Sequence, residues 1–305
     1  MHRFSLRQLE YLVACIDHGS TARAANALNV SQPTVSIAVT KLEDQLGVQL
    51  LRRHHSQGVT ATPSAENILP SARALLAHAT DLQKHITTTG DTISGELRLG
   101  SFTTLASSVL PRLVNAVSGQ YPDIHLQISE GTQDELVEGL NSGQLELALL
   151  YDLNLPDDIQ KTEMLELTPH VVLPKNHRLS SQTEIDLADL VNEPFILLDV
   201  PPSRDFFIGL FRATGLTPNI VHSSPSLELV RGLVGYGLGF SLLVTRPSGD
   251  TSYDGQPLSI RPLKNSAAKS SIVLARHKDL RSTKLMTLFT NLAKTAIHRS
   301  ASPDP

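Results

Sequence analysis

The stretch from Thr21 to Leu46, TARAANALNVSQPTVSIAVTKLEDQL, constrains the fold more than any other part of the chain. Its apolar positions form two short helical patterns broken at Asn29 and Val30, the spacing of a helix-turn-helix unit. Ala24, Ala25 and Leu28 give the first helix a small face, and two helices crossing steeply approach only where side chains are short. Ser31 is an N-cap residue, and Pro33 falls in the first turn, where its missing N–H costs nothing. Val35, Val39, Leu42 and Leu46 then mark one apolar stripe. The opposite face carries Gln32, Thr34, Ser36, Thr40 and Lys41, short polar groups plus a cation that suit base edges and phosphates in a major groove. The same amphipathic pattern also fits an ordinary solvated helix.

The flanking segments complete a small domain. A helix over Leu6 to Asp17 presents Leu6, Leu9, Leu12, Val13 and Ile16 on one face and is closed by Gly19. After Gly47, two short segments around a polar turn with Gly58 form a hairpin with the basic tip Arg52, Arg53, His54 and His55. Ser64 caps a long helix running to Thr87. In it Ile68, Ala72, Leu75, Ala79, Leu82 and Ile86 follow a heptad seam, so it is expected to dimerise, although it could pack on its own domain. Two recognition helices held about one DNA turn apart then bind a two-fold symmetric site. Thr87 to Ser94 is a polar linker.

A chain of 305 residues with 40% hydrophobic content is long enough for about two domains. Its net charge of −4 excludes a protein that coats nucleic acid generally, so DNA contact must come from a local patch. Up to Thr62 the cations Arg3, Arg7, Arg23, Lys41, Arg52 and Arg53 outnumber Glu10, Asp17, Glu43 and Asp44. No signal-peptide pattern is present and no apolar run reaches about 18 residues, so a cytoplasmic protein without a membrane partner is expected. The single cysteine, Cys15, is expected in the first helix's core, and one cysteine cannot form an intramolecular disulfide.

Beyond the linker the pattern alternates. Strands are expected at 96–100, 124–129 and 145–150 with helices at 105–117 and 133–140, the pattern of a parallel sheet with helical crossovers. A second set follows: strands at 170–173, 195–200, 220–223 and 240–244 with helices at 204–213 and 227–236. Strands at 258–263 and 272–275 and a helix at 282–297 close the chain. Ligands of open α/β sheets sit beyond the strand ends, where helix N-termini present free amides. That rule selects Ser101, Phe102, Thr103 and Thr104, then Gly131 and Thr132, then Ser224 and Ser226, and the stiff turn after Val200, with Pro202, Ser203 and Arg204, aims a cation near another strand end. Arg204 could clamp a carboxylate with Phe206 or Phe207 against its apolar part, or pair with Asp199 or Asp205, and each hydroxyl could equally cap a helix. Nothing points to an enzyme, a metal or a cofactor. The histidines are scattered, there is no Gly-x-Ser-x-Gly elbow, and Gly235-Tyr236-Gly237-Leu238-Gly239 follows a helix and opens a strand, the reverse of a phosphate loop.

The order Ala24-Ala25, Leu28, Ser31-Gln32-Pro33, Ser36, Leu42-Glu43 and Leu46-Gly47 resembles the N-terminal domain of LysR-type transcriptional regulators. The later phrases Leu97-Arg98-Leu99-Gly100, Leu110-Pro111, Tyr121-Pro122, Glu130-Gly131 and Gly235 to Gly239 extend the likeness over nearly the whole chain. The resemblance implies an α/β protein with a winged helix-turn-helix at 1–63, a dimerising helix and hinge at 64–94, and a two-lobed, periplasmic-binding-protein-like effector domain at 95–300. Lobe one would hold 95–166 and 270–300, lobe two 167–269, and 301–305 would be a disordered tail. It implies promoter DNA and an acidic effector as ligands, a homodimer or homotetramer, and RNA polymerase as a further partner. Its DNA contacts would be Ser31, Gln32, Pro33, Thr34, Ser36, Ile37, Thr40, Lys41, Arg52, Arg53 and His54. Three departures stand out: Ile37 where the family commonly has arginine, Thr21 in place of an aromatic, and Ala65 in place of glycine. Family two-cysteine peroxide sensing is not expected of a one-cysteine chain. The competing reading is a two-lobed binding protein or enzyme whose N-terminal domain only dimerises.

Overall fold

The computed structural model describes residues 4–54, 58–87, 93–247, 249–264 and 269–301. It opens with α1 (Leu6–Asp17), α2 (Thr21–Ala27), α3 (Gln32–Leu46), the hairpin β1 (Leu51–His54) and β2 (Gly58–Ala61), and α4 (Pro63–Thr87). The first three helices each start on a serine. Ser5, Ser20 and Ser31 accept the amides of Gln8, Arg23 and Thr34, satisfying donors that a helix start leaves free. Asn29 turns the chain between α2 and α3 at φ 53°, and Gly47 ends α3 at φ 70°.

These helices close over Leu9, Leu12, Cys15, Ala24, Ala25, Val35, Val39 and Leu42, with Leu50, Leu51 and Val59 entering from the hairpin. Leu46, expected in the same stripe, is exposed because α3 ends there, a turn past the last core residue. Two contacts fix the wing. Glu43 Oε1 accepts the amides of Leu50 and Leu51 at 2.8 and 3.0 Å. On the other strand Val59 N donates to Gly19 O at 3.0 Å, and a Cβ at Gly58, φ 93°, would stand 2.2 Å from that oxygen. Only glycine permits so close an approach.

Helix α4 serves both halves of the chain. Ala65, Leu69 and Ala72 join the first core, whereas Ala74 belongs to the second. Residues 88–92 of the expected linker and His55 of the wing tip lie outside the described residues.

The second core begins with β3 (Gly95–Phe102), α5 (Thr103–Gln120), β4 (Ile124–Gly131), α6 (Gln133–Asn141), β5 (Leu147–Tyr151) and β6 (Ile159–Leu167). The chain then crosses into β7 (His170–Pro174), β8 (Pro194–Leu198), α7 (Ser203–Ala213), β9 (Asn219–Ser224), α8 (Leu227–Gly235), β10 (Ser241–Leu243) and β11 (Leu258–Pro262), and returns through β12 (Ser270–His277) and α9 (Lys284–Ala301). Lobe one is a five-stranded sheet in the order β4-β3-β5-β12-β6, with β3 parallel to β4 and β5 and β12 antiparallel to its neighbours. Lobe two holds β10-β7-β11 and β8-β9, joined where Phe195 bridges Phe240.

Strand β6 was not expected from sequence. Its apolar residues do not alternate, because the pairing with β12 shifts register between Ile272 and Val273 and so changes which face each side chain meets. Helix α9 reaches Ala301, the first residue of the expected tail, and residues 302–305 lie outside those described.

Candidate DNA-binding surface and effector cleft

The exposed face of α3 is built as the sequence pattern requires. Ser31, Gln32, Pro33, Thr34, Ile37, Thr40 and Lys41 are exposed and Ser36 is half-buried, while Val35, Val39 and Leu42 point inward. Ser31 Oγ lies 2.7 Å from Thr34 Oγ1, and Gln32 Nε2 donates to Thr21 Oγ1 at 3.3 Å, so the start of α3 is tied back to α2. The wing then crosses onto this face. Arg53 donates to Ser36 Oγ and Thr40 Oγ1, both at 3.2 Å. The hairpin thus places a guanidinium over the turn of α3 from Ser36 to Thr40, which itself carries no cation. His54 pairs with Thr60 Oγ1 across the hairpin at 2.9 Å, and Arg52 is exposed on the same strand.

Along α4 the heptad positions divide. Ile68 and Ala72 pack into the N-terminal core, Ala79 is half-buried, and Leu75 and Leu82 are exposed. The side chain of Ile86 lies outside the described residues.

Between the lobes a cavity of about 230 Å³ is lined by Thr103, Thr104 and Ser107 of α5 and by Pro225, Ser226, Leu227 and Glu228 at the start of α8. It is smaller than a typical drug-sized site and suits a compact metabolite. Thr104 is anchored below it, its hydroxyl 3.0 Å from the hydroxyl of the buried Tyr151, which also bonds Thr245 from lobe two. Burial pushes Tyr151 up to about 12, so its phenol stays protonated and the hydroxyl chain joins the lobes without charge.

Three expected residues therefore reach the cavity: Thr103, Thr104 and Ser226. The others are held elsewhere by identifiable contacts. Ser101, Phe102, Val200 and Ser203 are buried, Phe102 with its ring edge-on to Tyr151 at 5.5 Å and Val200 in the second core. Thr132 forms a capping box with Glu135 at the start of α6, next to Gly131, and Ser224 Oγ accepts the amide of Ser226. Pro202 precedes α7 without lining the cavity. Arg204 lies outside the cavity lining and makes the alternative pairing, with Asp199 and Asp205 each at 3.4 Å, because both carboxylates sit within its reach at the same turn. Phe207 is buried in the core, its ring 5.6 Å from that of Phe206. Sequence reasoning missed Ser107, Pro225, Leu227 and Glu228. Ser107 follows Thr103 by four residues and so shares its helix face, a signal present in the sequence.

Cys15 is buried in the first core, and burial raises its thiol to about 11, so the nucleophilic thiolate is suppressed. Among the described residues no group of three histidines, cysteines or carboxylates could hold a metal, and no helix is long and apolar enough to cross a membrane.

A helix-turn-helix with a basic wing, joined by a long helix to a two-lobed domain with a cavity between its lobes, defines an effector-responsive DNA-binding regulator. Residues 6–66 match the profile described as bacterial regulatory helix-turn-helix protein, lysR family, and residues 90–297 match the LysR substrate binding domain. The chain belongs to the LysR family of transcriptional regulators, which are DNA-binding proteins rather than enzymes. These regulators bind DNA and an effector and form oligomers. The solved structure of HinK, a LysR family transcriptional regulator from Pseudomonas aeruginosa, is 39% identical over 96% of this chain and 99% of that one, with a TM-score of 0.65. The DNA-binding transcriptional dual regulator OxyR of Escherichia coli K12 is 30% identical over 240 residues, 78% of each chain. A full-length OxyR variant from Pseudomonas aeruginosa, 24% identical over 97% of this chain and 98% of its own, shares the fold at a TM-score of 0.77.

Proposed function

We propose that α3 and the wing of two copies read an interrupted inverted repeat in promoter DNA, and that an effector held between α5 and α8 changes how the copies are arranged on it. The observation that carries this reading is Arg53, which reaches from the wing to Ser36 and Thr40 and gathers a cation and two hydroxyls on one exposed surface. Phosphate contacts from Arg52, Arg53 and Lys41 would set the register, with Gln32, Thr34, Ser36 and Thr40 against base edges. Residues 1–63 form the DNA-binding unit in this reading, 64–94 the dimerising helix and hinge, and 95–300 the effector domain. The working form is a homodimer or homotetramer in the cytoplasm, with RNA polymerase as the partner that senses its position.

The effector carries a carboxylate, received by the amides at the start of α5. Binding shifts the arrangement only as far as its affinity differs between the two states. The likeness to OxyR does not bring a disulfide switch, since this chain has one cysteine. Selection of genomic fragments by the purified protein at two salt concentrations tests the reading. An inverted repeat recovered at both, with affinity falling steeply as salt rises, supports it. Binding without sequence preference refutes it.

A further inference from the structure

The cleft is polarised by the two helices that form it. At one end α5 starts at Thr103 behind Phe102, which offers no capping side chain, so the positive end of that helix opens on the cavity. At the other end α8 starts on a side-chain cap. Ser226 Oγ accepts the amide of Leu229 at 3.3 Å, and Glu228 stands in the same turn. Glu228 is the one ionisable side chain among the cavity-lining residues, and it is 46% exposed.

Its neighbour Arg231 does not compete for the cavity. That side chain is 1% exposed, with Nε 3.7 Å from Glu228 Oε1, and its Nη2 donates to the backbone carbonyls of Gly249 and Thr251. The fixed guanidinium pairs with one carboxylate oxygen of Glu228, whose side chain stays 46% exposed in the cavity wall.

We propose that the effector is a small zwitterion of the amino-acid class, with its carboxylate at the start of α5 and its cationic nitrogen on Glu228. This rests on the cleft being the effector site. A plain acid would place a second negative charge in the same small cavity as Glu228, and a plain amine would leave the α5 end without an anion. Glu228 thereby sets specificity through repulsion as well as attraction.

The test titrates the full-length protein calorimetrically with the twenty standard amino acids, each beside its deaminated acid and its decarboxylated amine. The expected result is an amino acid that binds at least tenfold more tightly than either relative, with Glu228→Gln removing its advantage over the acid. The comparison within the unaltered protein stands even where that variant, by stranding Arg231, fails to fold. A deaminated acid that binds as tightly as its amino acid overturns the proposal, as does a panel in which no amino acid binds. If such an acid is lost on Ser107→Trp, which fills the cavity from the exposed face of α5, the cleft remains the effector site and only the zwitterion fails. If binding survives Ser107→Trp, the cleft reading fails with it.

Discussion

Arg73 on α4 donates to both carboxylate oxygens of Asp17 at the end of α1, Nη2 to Oδ1 at 2.5 Å and Nη1 to Oδ2 at 3.3 Å. On its other side a Cβ at Gly143 would come within 2.7 Å of Arg73 Cδ, so the same side chain packs against the turn between α6 and β5. One arginine, 4% exposed, therefore ties the helix-turn-helix to lobe one through the linker helix. Burial lowers its pKa and Asp17 opposes that shift, the signature of a charge that depends on its partner. Asp17→Asn should cost about 2 kcal/mol, below the figure for a wholly buried pair because Asp17 is 35% exposed. Denaturant unfolding measures this, with the exposed Asp44→Asn as a control expected within about 0.5 kcal/mol of the parent. A loss no larger than the control's would mean that Arg73 is held by its packing alone.

Arg53→Ala should weaken operator binding across all sequences and reduce the slope of log affinity against log salt by about one, as the loss of a phosphate contact does. Because Arg53 is exposed, the melting temperature should hardly change. Gln32→Ala and Ser36→Arg should also impair operator binding at unchanged stability, but with sequence-dependent losses. Mobility shifts at several salt concentrations separate the two classes. An unaltered salt slope for Arg53→Ala would place the wing away from the phosphates.

What the sequence made legible follows from how local each signal is. The helix starts at Ser31 and Thr132 and the end at Gly47 depend on neighbours a turn away, so residue type and spacing suffice. The cleft was legible as a place, since strand ends and helix starts locate it, and Thr103, Thr104 and Ser226 were found on that ground. Its chemistry was less so. Arg204 has Asp199 and Asp205 close in sequence, and only the backbone path of the turn decides that it faces them. Arg53 reaching Ser36 and Thr40 is a contact across 17 and 13 residues that no periodicity announces. Strand β6 was hidden by a register shift that exists only against β12.

His170 opens β7, where the chain enters lobe two. Burial, with Arg246 and Arg231 nearby and only partly offset by a hydrogen bond with the Thr168 backbone and by Asp250, lowers it from 6.5 to about 4. The folded protein therefore keeps this imidazole neutral in a range where the unfolded chain takes up a proton. Its stability is fully present above about pH 6.5 and declines as pH falls towards 4, by up to about 3 kcal/mol. His170→Asn should flatten that part of the pH–stability curve. Carboxylates such as Glu193, whose pKa is lowered, lose their contribution at more acidic pH and remain in the variant. Denaturant midpoints from pH 7.5 to 4.5 provide the comparison, and parallel curves for the two proteins would rule out a neutral buried His170.

Leu75 and Leu82 stand seven residues apart on α4, 48% and 63% exposed, whereas Ile68 and Ala72 are spent on the N-terminal core. A seven-residue step keeps two side chains on one stripe of a helix, so among the described residues this exposed pair is the part of the expected heptad seam open to a second copy. Each leucine buried there contributes about 1.5–3 kcal/mol, and two-fold symmetry counts it twice. Leu82→Glu should therefore raise the dimer dissociation constant by a factor of at least about 100, with carboxylates opposed across the seam adding to the loss. Sedimentation of the variant at micromolar concentration should show a lighter species with unchanged helix content, and its operator affinity should fall because single modules bind half-sites weakly. A sedimentation profile identical to that of the parent would move the dimer contact off α4.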